Sequence, residues 1–347
     1  SGLLPVYIKS MRTILLASLL SLASCDLPRS WGEWNSVIVA TSPETWDAVD
    51  EMIESALETR ILTVRPEKTF RVTHQSPEGL EWERLQRFRQ ILLVGSLNDP
   101  WINEALGERP SVDVAPPQIF QLQDVWAKGQ LATVLLVNPG AFDEVEALMP
   151  DLHKLLDNQY QDWVRSRMFM SGRNLALADS LWKEAQFTLV LPELYVKRTG
   201  DSTYIFRNDN PDPSELIREI AVTWRDAEPN QFSQSEILEW RQDMSDSYYN
   251  YPQVLDMTIA ETRQLQIGTM VLDEIRAAWS NPPGDLFPAG GPAIIRSIHC
   301  PDQGRQYLVD AWLYAPGRDK YQYLLQLETI LNSFRCGDGN PSTSTTE

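Results

Sequence analysis

The chain has 347 residues, 43% hydrophobic and 10% aromatic, a composition that excludes a disordered protein and is long enough for about two domains. Lysine and arginine number 30 against 48 acidic residues, a formal charge of −18. With no basic stripe to offset that charge, the composition argues against nucleic acid and anionic lipid surfaces as partners.

Taken in order, the first feature is Met11 to Cys25. Arg12 supplies a positive start, Ile14 to Leu22 an apolar core, and Leu22-Ala23-Ser24-Cys25 a small-residue exit. The stretch is too short to span a bilayer permanently and reads as a secretory signal. Its L-A-S-C ending resembles the lipobox of bacterial lipoproteins, which implies cleavage before Cys25 and lipidation of that cysteine. Residues 1–25 are therefore read as upstream residues plus signal peptide, and 26–36 as a tether. Lys9 and Arg12 leave with the signal and no acidic residue does, so the mature body is more acidic still.

Val37 to Ala40 is a compact apolar run, a buried strand. Ser42-Pro43-Glu44 opens a helix: a capping hydroxyl, a proline at the first helical position and an acid for the dipole. Arg60 to Val64 and Thr69 to Thr73 read as strands, Leu80 to Leu85 and Pro100 to Leu106 as short helices, and Ile91 to Val94 as a central strand. Ile119 to Trp126 and Leu131 to Val137 form a hairpin turning at Gly129. A long helical pattern runs from Phe142 towards Met168, with Pro150 as an expected break.

In the second half, Leu175 to Ala185 is a helix, Phe187 to Leu191 a strand, and Tyr195 to Arg207 a hairpin. Ile217 to Trp224 is a further strand. Ser233 followed by Glu236 predicts a capped helix to Tyr248. Leu265 to Trp279 fits strand or helix. Ala293 to His299 and Gln306 to Tyr314 make a hairpin, Arg318 to Phe334 the closing helix, and 337–347 a polar tail read as disordered.

The order of parts repeats. Each half shows a helix, strands, a proline-rich loop, a hairpin and a Pro-Gly turn before its last helix. The expected fold is α+β, with two similar halves at 37–172 and 173–336, each a mainly antiparallel sheet covered by helices. Chance recurrence of such orders is the alternative.

Little in the chain carries chemistry. His74, His153 and His299 are scattered and no metal-ligand spacing occurs, so neither metal nor cofactor is expected. Ser180-Leu181-Trp182-Lys183 matches S-x-x-K, one helical turn between nucleophile and base, but its companion motifs are absent or only approximate. It leaves an envelope hydrolase as the alternative, with no residue assigned as catalytic. Asn208 to Pro213 clusters oxygen ligands without calcium-loop spacing and reads as a solvated turn. Trp126, Lys128 and Gln130 at the first hairpin turn, with Gly290 and Gly291 before the last hairpin, are the candidate ligand surface. Turn geometry and core aromatics account for them more simply. With Cys25 lipidated, Cys300 and Cys336 are the remaining cysteines of an exported chain, so a disulfide is expected, with two buried free thiols as the alternative.

Four stretches together resemble a family of bacterial lipoproteins catalogued as domain of unknown function 4837. They are Arg87 to Gly95, Asp124 to Gln130, Gly290-Gly291-Pro292 and Tyr314 to Lys320. Where that family has an aromatic after G-G-P, this chain has Ala293. The resemblance implies a secreted, lipid-anchored protein and carries over no catalytic residue. The reading favours a binding or assembly module of the cell envelope facing periplasm or exterior. Its membrane contact is through the N-terminal lipid, and an envelope protein is its possible partner.

Overall fold

The computed structural model describes residues 27–107, 114–226, 232–286 and 288–336. Cys25 and the 337–347 tail lie outside the described residues. The first part runs β1 (Ser36–Ala40), α1 (Pro43–Leu57), β2 (Arg60–Ile61), β3 (Glu67–Lys68), β4 (Arg71–Gln75), α2 (Leu80–Leu85), β5 (Gln90–Gly95), α3 (Pro100–Leu106), β6 (Gln118–Gln123), β7 (Leu131–Leu136) and α4 (Phe142–Met168). Then follow α5 (Leu175–Ala185), β8 (Phe187–Thr188), β9 (Val196–Gly200), β10 (Thr203–Asn208), β11 (Ile217–Asp226), α6 (Gln234–Tyr248), β12 (Val254–Ile267), β13 (Met270–Ser280), β14 (Gly290–Cys300), β15 (Arg305–Tyr314), α7 (Tyr321–Asn332) and β16 (Arg335–Cys336).

Helices and mixed or antiparallel sheets make the chain α+β. It divides into two compact units. One contains the described residues up to Glu54 together with Arg71–Asp151; the other contains Ser55–Phe70 and the chain from Leu152 onward. The division falls inside α1 and α4, away from the expected cut between 172 and 173. The reason is local: Ala56 O bonds His153 Nδ1 at 2.7 Å, and Phe70 stacks edge-on against Tyr160. These contacts hold residues 55–70 in the second unit.

The sheet of the first unit has the order β4-β1-β5-β7-β6, with β1, β4, β5 and β7 parallel and only β6 antiparallel. Helices return the chain between its strands, which makes the pairing parallel. Strands such as Ile91-Leu92-Leu93-Val94 are apolar on both faces because both faces are buried. Trp82, Trp101 and Ile102 of α2 and α3 cover one face through Ile38, Ile91, Leu93 and Val134.

The second unit holds a fully antiparallel sheet of order β12-β13-β14-β15-β11-β10-β9. One face packs on α5 and α7 through Leu181, Leu327, Ile330, Val309 and Ala311. The other packs on α6 through Ile237, Trp240, Met244, Ile295 and Trp312. The two sheets thus differ in strand order and in pairing sense. The expectation of two similar, mainly antiparallel halves is corrected, and the duplication falls with it. A shared order of helices and strands was read as shared topology, but the crossovers decide pairing sense.

Smaller differences have similar causes. The ambiguous stretch from Leu265 to Trp279 belongs to the β12–β13 hairpin, which turns at Gly268 with φ +61. Pro150 sits inside the 27-residue α4 without ending it. The lost hydrogen bond is offset by burial of Val145, Met149, Leu152 and Leu156 along the same helix. The predicted cap of α6 is present, with Ser233 and Glu236 bonded reciprocally. Among the described residues, no helix is long and apolar enough to cross a membrane.

Candidate functional site

Among the described residues, a well-formed concavity lies in the second unit, at one end of the sheet on its α6 face. Its floor is Trp279 from β13 and Trp312 from β15, both buried. Alternation along β15 sends Trp312 and Tyr314 to opposite pleats from Leu313. Ile217 of β11 and the segment at Tyr251 and Pro252 after α6 complete the walls. The cleft encloses about 660 Å³, within the size range of small-molecule sites.

The rings are set by edge-to-face packing. Trp312 has Trp279 at 5.2 Å and 73° on one side and Tyr251 at 6.5 Å and 79° on another. Trp279 Nε1 donates to the Leu313 carbonyl at 3.1 Å. Only glycine permits this approach: a Cβ on Gly291 would lie 1.8 Å from the same carbonyl oxygen. Asn281, Asp285, Leu286, Pro288 and Ala289 form the outer lip. It is closed by the Asn281 N–H donating to Ala289 O at 2.9 Å, with the Ala289 N–H returning to Asn281 Oδ1 at 3.2 Å. Asp285 accepts from Asn281 Nδ2 at 2.8 Å, and across the mouth Asp212 accepts from the Ser214 N–H and hydroxyl.

Behind the floor runs a buried polar network. Arg241 of α6 donates to Asp310 of β15 at 3.0 Å, and the Tyr249 hydroxyl donates to the same oxygen at 2.6 Å. Arg241 also bonds Gln253. Burial and then Asp310 push the Tyr249 phenol well above its ordinary range. Glu219, opposite Trp312 in the register, is held above its ordinary value by burial, although Arg207 and Arg198 oppose this. The Trp312 indole N–H, Glu219 Oε1 and Asp310 Oδ1 have no partner among the described residues.

The residues of the sequence-predicted ligand surface fall in different units. Trp126, Lys128 and Gln130 belong to the first unit and Gly290 and Gly291 to the second. Gln130 is a structural tie: its amide donates to the carbonyls of Gln86 and Phe88, both at 2.7 Å, and accepts from the Trp126 N–H. Trp126 packs edge-on against Trp82 and donates to Glu104 at 2.9 Å. The backbone of Lys128 exchanges hydrogen bonds with Pro28 and Ser30, so the segment read as a tether is fastened to this turn. Gly290 and Gly291 serve close backbone packing beside the cleft. The aromatics that do line it, Tyr251, Trp279, Trp312 and Tyr314, were missed. Their signal was the alternation of Trp312 and Tyr314 on one strand and a proline-rich loop after Trp279.

Ser180 is bonded to a carboxylate, not to the lysine of the S-x-x-K pattern. Its hydroxyl bonds Glu184, Lys183 is exposed, and neither lines the cleft. No cluster of three metal-ligating side chains occurs among the described residues. In the acidic loop, Asp209 pairs with Arg207, and Asn208 and Asp212 bond neighbouring backbone. Cys300 and Cys336 are joined in a disulfide, Cα atoms 6.2 Å apart, between the end of β14 and the strand following α7.

Residues 174–333 match the family described as Domain of unknown function (DUF4837), so the resemblance to that family is established over the stretch that contains the cleft. None of the curated proteins matches the chain. Among solved structures, the Ran-binding protein Mog1p of Saccharomyces cerevisiae is similar at 12% identity and a TM-score of 0.31, over 44% of this chain and 90% of that one. Cyanobacterial PsbP from Synechocystis sp. PCC 6803 is similar at 10% identity and 0.30, over 44% and 87%. Likenesses this faint assign no function.

Proposed function

We propose that the mature chain is a lipid-anchored cell-envelope protein that acts as a binding module, with the aromatic cleft as its site. The observation that carries the binding half is the cleft itself: apolar walls with a few polar groups at the lip. The anchoring half is supported by the ordered signal ending in Leu22-Ala23-Ser24-Cys25. The Cys300–Cys336 bridge suits an oxidising compartment. An acidic body is repelled by anionic headgroups, so acyl chains, worth about 0.8 kcal/mol per buried methylene, would hold it at the membrane. It would face periplasm or exterior, and an envelope protein is the expected partner.

Mass spectrometry of the mature N-terminus, from cells that process lipoproteins, tests the anchor. A lipid-modified Cys25 is expected; an unmodified peptide starting elsewhere overturns it. For the site, the lipidated protein is recovered from its native envelope beside the Tyr251→Ala variant. A bound species lost with the variant supports the cleft, and equal recovery overturns it.

A further inference from the structure

The antiparallel sheet ends in a free edge. β12 stands first in the strand order and has β13 as its one neighbour. From Glu261, opposite Arg276, to Ile267, opposite Met270, the two strands pair without a break. The register shift between Asp256 and Glu261 bounds this run on one side, and the turn at Gly268 bounds it on the other. Glu261, Thr262, Arg263, Gln264 and Gln266 are exposed. The backbone N–H and C=O groups of 261–267 that point away from β13 have no partner among the described residues. A regular, exposed row of donors and acceptors is a template for one more strand.

Beside this edge, on the α6 face, lies a second cavity of about 210 Å³. Thr262 lines it together with Phe232, Ile237, Ile275 and Ile295. It is smaller than sites for small molecules usually are, and suits a single apolar side chain. Asp273, exposed, lines it too, and its carboxylate has Gln264 Nε2 at 3.5 Å but no ionic partner among the described residues.

The register sets what fits. Thr262 stands opposite Ile275 and Gln264 opposite Asp273, two residues apart on one face. In a strand laid against β12, side chains two apart also share a face. One of them meets the apolar cavity and the next meets Asp273. A second copy of this chain fits worse: its β12 would bring Thr262, Gln264 and Gln266 to that face, all polar, and leave the cavity unfilled. Two bodies of formal charge −18 also repel each other, whereas a basic segment is attracted.

We propose that β12 takes an extended segment of a partner protein as an additional strand, with an apolar side chain seated beside Thr262 and a lysine or arginine two residues from it against Asp273. This surface shares no lining residue with the aromatic cleft and stands whether or not the cleft holds a ligand.

The test titrates the full mature chain at fixed ionic strength with three fluorescent decapeptides. The first has threonine at odd positions and leucine and lysine taking turns at even ones; the second has glutamate for lysine, the third serine for leucine. The first should bind about tenfold more tightly than either of the others. At saturation, amide hydrogen exchange should slow within 261–267. D273N should weaken the first peptide about three- to fivefold. Thr262→Phe, which keeps a strand-forming residue at an exposed position and fills the cavity, should weaken it severalfold while the melting temperature holds. Equal binding of the three peptides, protection that falls outside 261–267, or affinity untouched by both substitutions overturns the proposal, as does absence of binding by all three. Dimerisation of the free chain in sedimentation, with 261–267 already protected, overturns it in favour of a second copy. The cleft reading is tested separately by Tyr251→Ala.

Discussion

The two sheets treat buried charge in opposite ways. Among the described residues of the first unit the buried polar side chains are neutral, Gln90, Thr133 and Gln130 being examples. In the second, Glu219, Arg241, Glu274, Arg296 and Asp310 are all buried. The parallel sheet is covered on both faces through its crossovers and has apolar neighbours for each strand. The antiparallel sheet threads ionic groups through its faces, and each survives burial only through its partner. Glu274 accepts from Arg263, Arg276 and Arg296 at 2.7–2.9 Å, and Asp310 from Arg241 and Tyr249. Thus the first sheet is insured by packing and the second by pairing. Loss of one partner should therefore harm the second far more.

The largest effect is expected at Asp310. Asp310→Ala strands Arg241, which is fully buried, and should cost about 3–5 kcal/mol in urea unfolding. Adding Arg241→Met should recover much of that loss; a double variant as unstable as the sum of the singles would break the pairing account. Next is the Cys300–Cys336 bridge, whose sequence separation of 36 predicts about 4 kcal/mol from loop closure. Reduction or Cys300→Ser should lower the melting of the antiparallel unit, read by hydrogen exchange at β14 and β15, while β1 and β5 keep their protection.

Glu274 gives a test in pH. Burial alone would raise its carboxyl, but the Arg276 and Arg296 guanidiniums outweigh that and hold it below its ordinary value. A depressed carboxylate stabilises the fold above its unfolded value and loses that contribution as pH falls through the folded one. Glu274→Gln should therefore cost about 1.5–3 kcal/mol at neutral pH, and the difference from the unaltered protein should shrink in acid. A cost independent of pH would remove charge from the explanation. The smallest effect belongs to the parallel sheet. Thr133 accepts from Gln121 at 3.0 Å, and Thr133→Val should cost only about 1 kcal/mol. A loss as large as that at Asp310 would erase the contrast.

Local signals were the legible ones. Ser233 with Glu236 marked the start of α6, Gly129 marked a turn, and the unbroken apolar run from Ile91 to Val94 marked a central strand. Pairing sense was not legible, because it depends on where α1, α2 and α3 return the chain. The same run could have pointed to it: a strand apolar at every position is buried on both faces, the habit of parallel sheets. Asp310 is a single charge inside the apolar run Leu308 to Leu313, and its partner Arg241 lies 69 residues away, beyond the reach of any local signal. The cleft was hidden for a related reason. Its rings come from three separate stretches that only the folded sheet and the segment after α6 bring side by side, while Gln130, read as a ligand contact, spends its amide on backbone carbonyls.

The bridge between Cys300 and Cys336 makes β15, the turn at Pro316-Gly317-Arg318 and α7 part of one covalent ring. That turn is exposed at Pro316 and Gly317, where a protease has its easiest access. A single cut there opens the ring without dividing the molecule: the mass rises by one water, and the two pieces travel together until a reductant parts them. A protease can therefore nick this loop while the closing helix stays attached to its sheet.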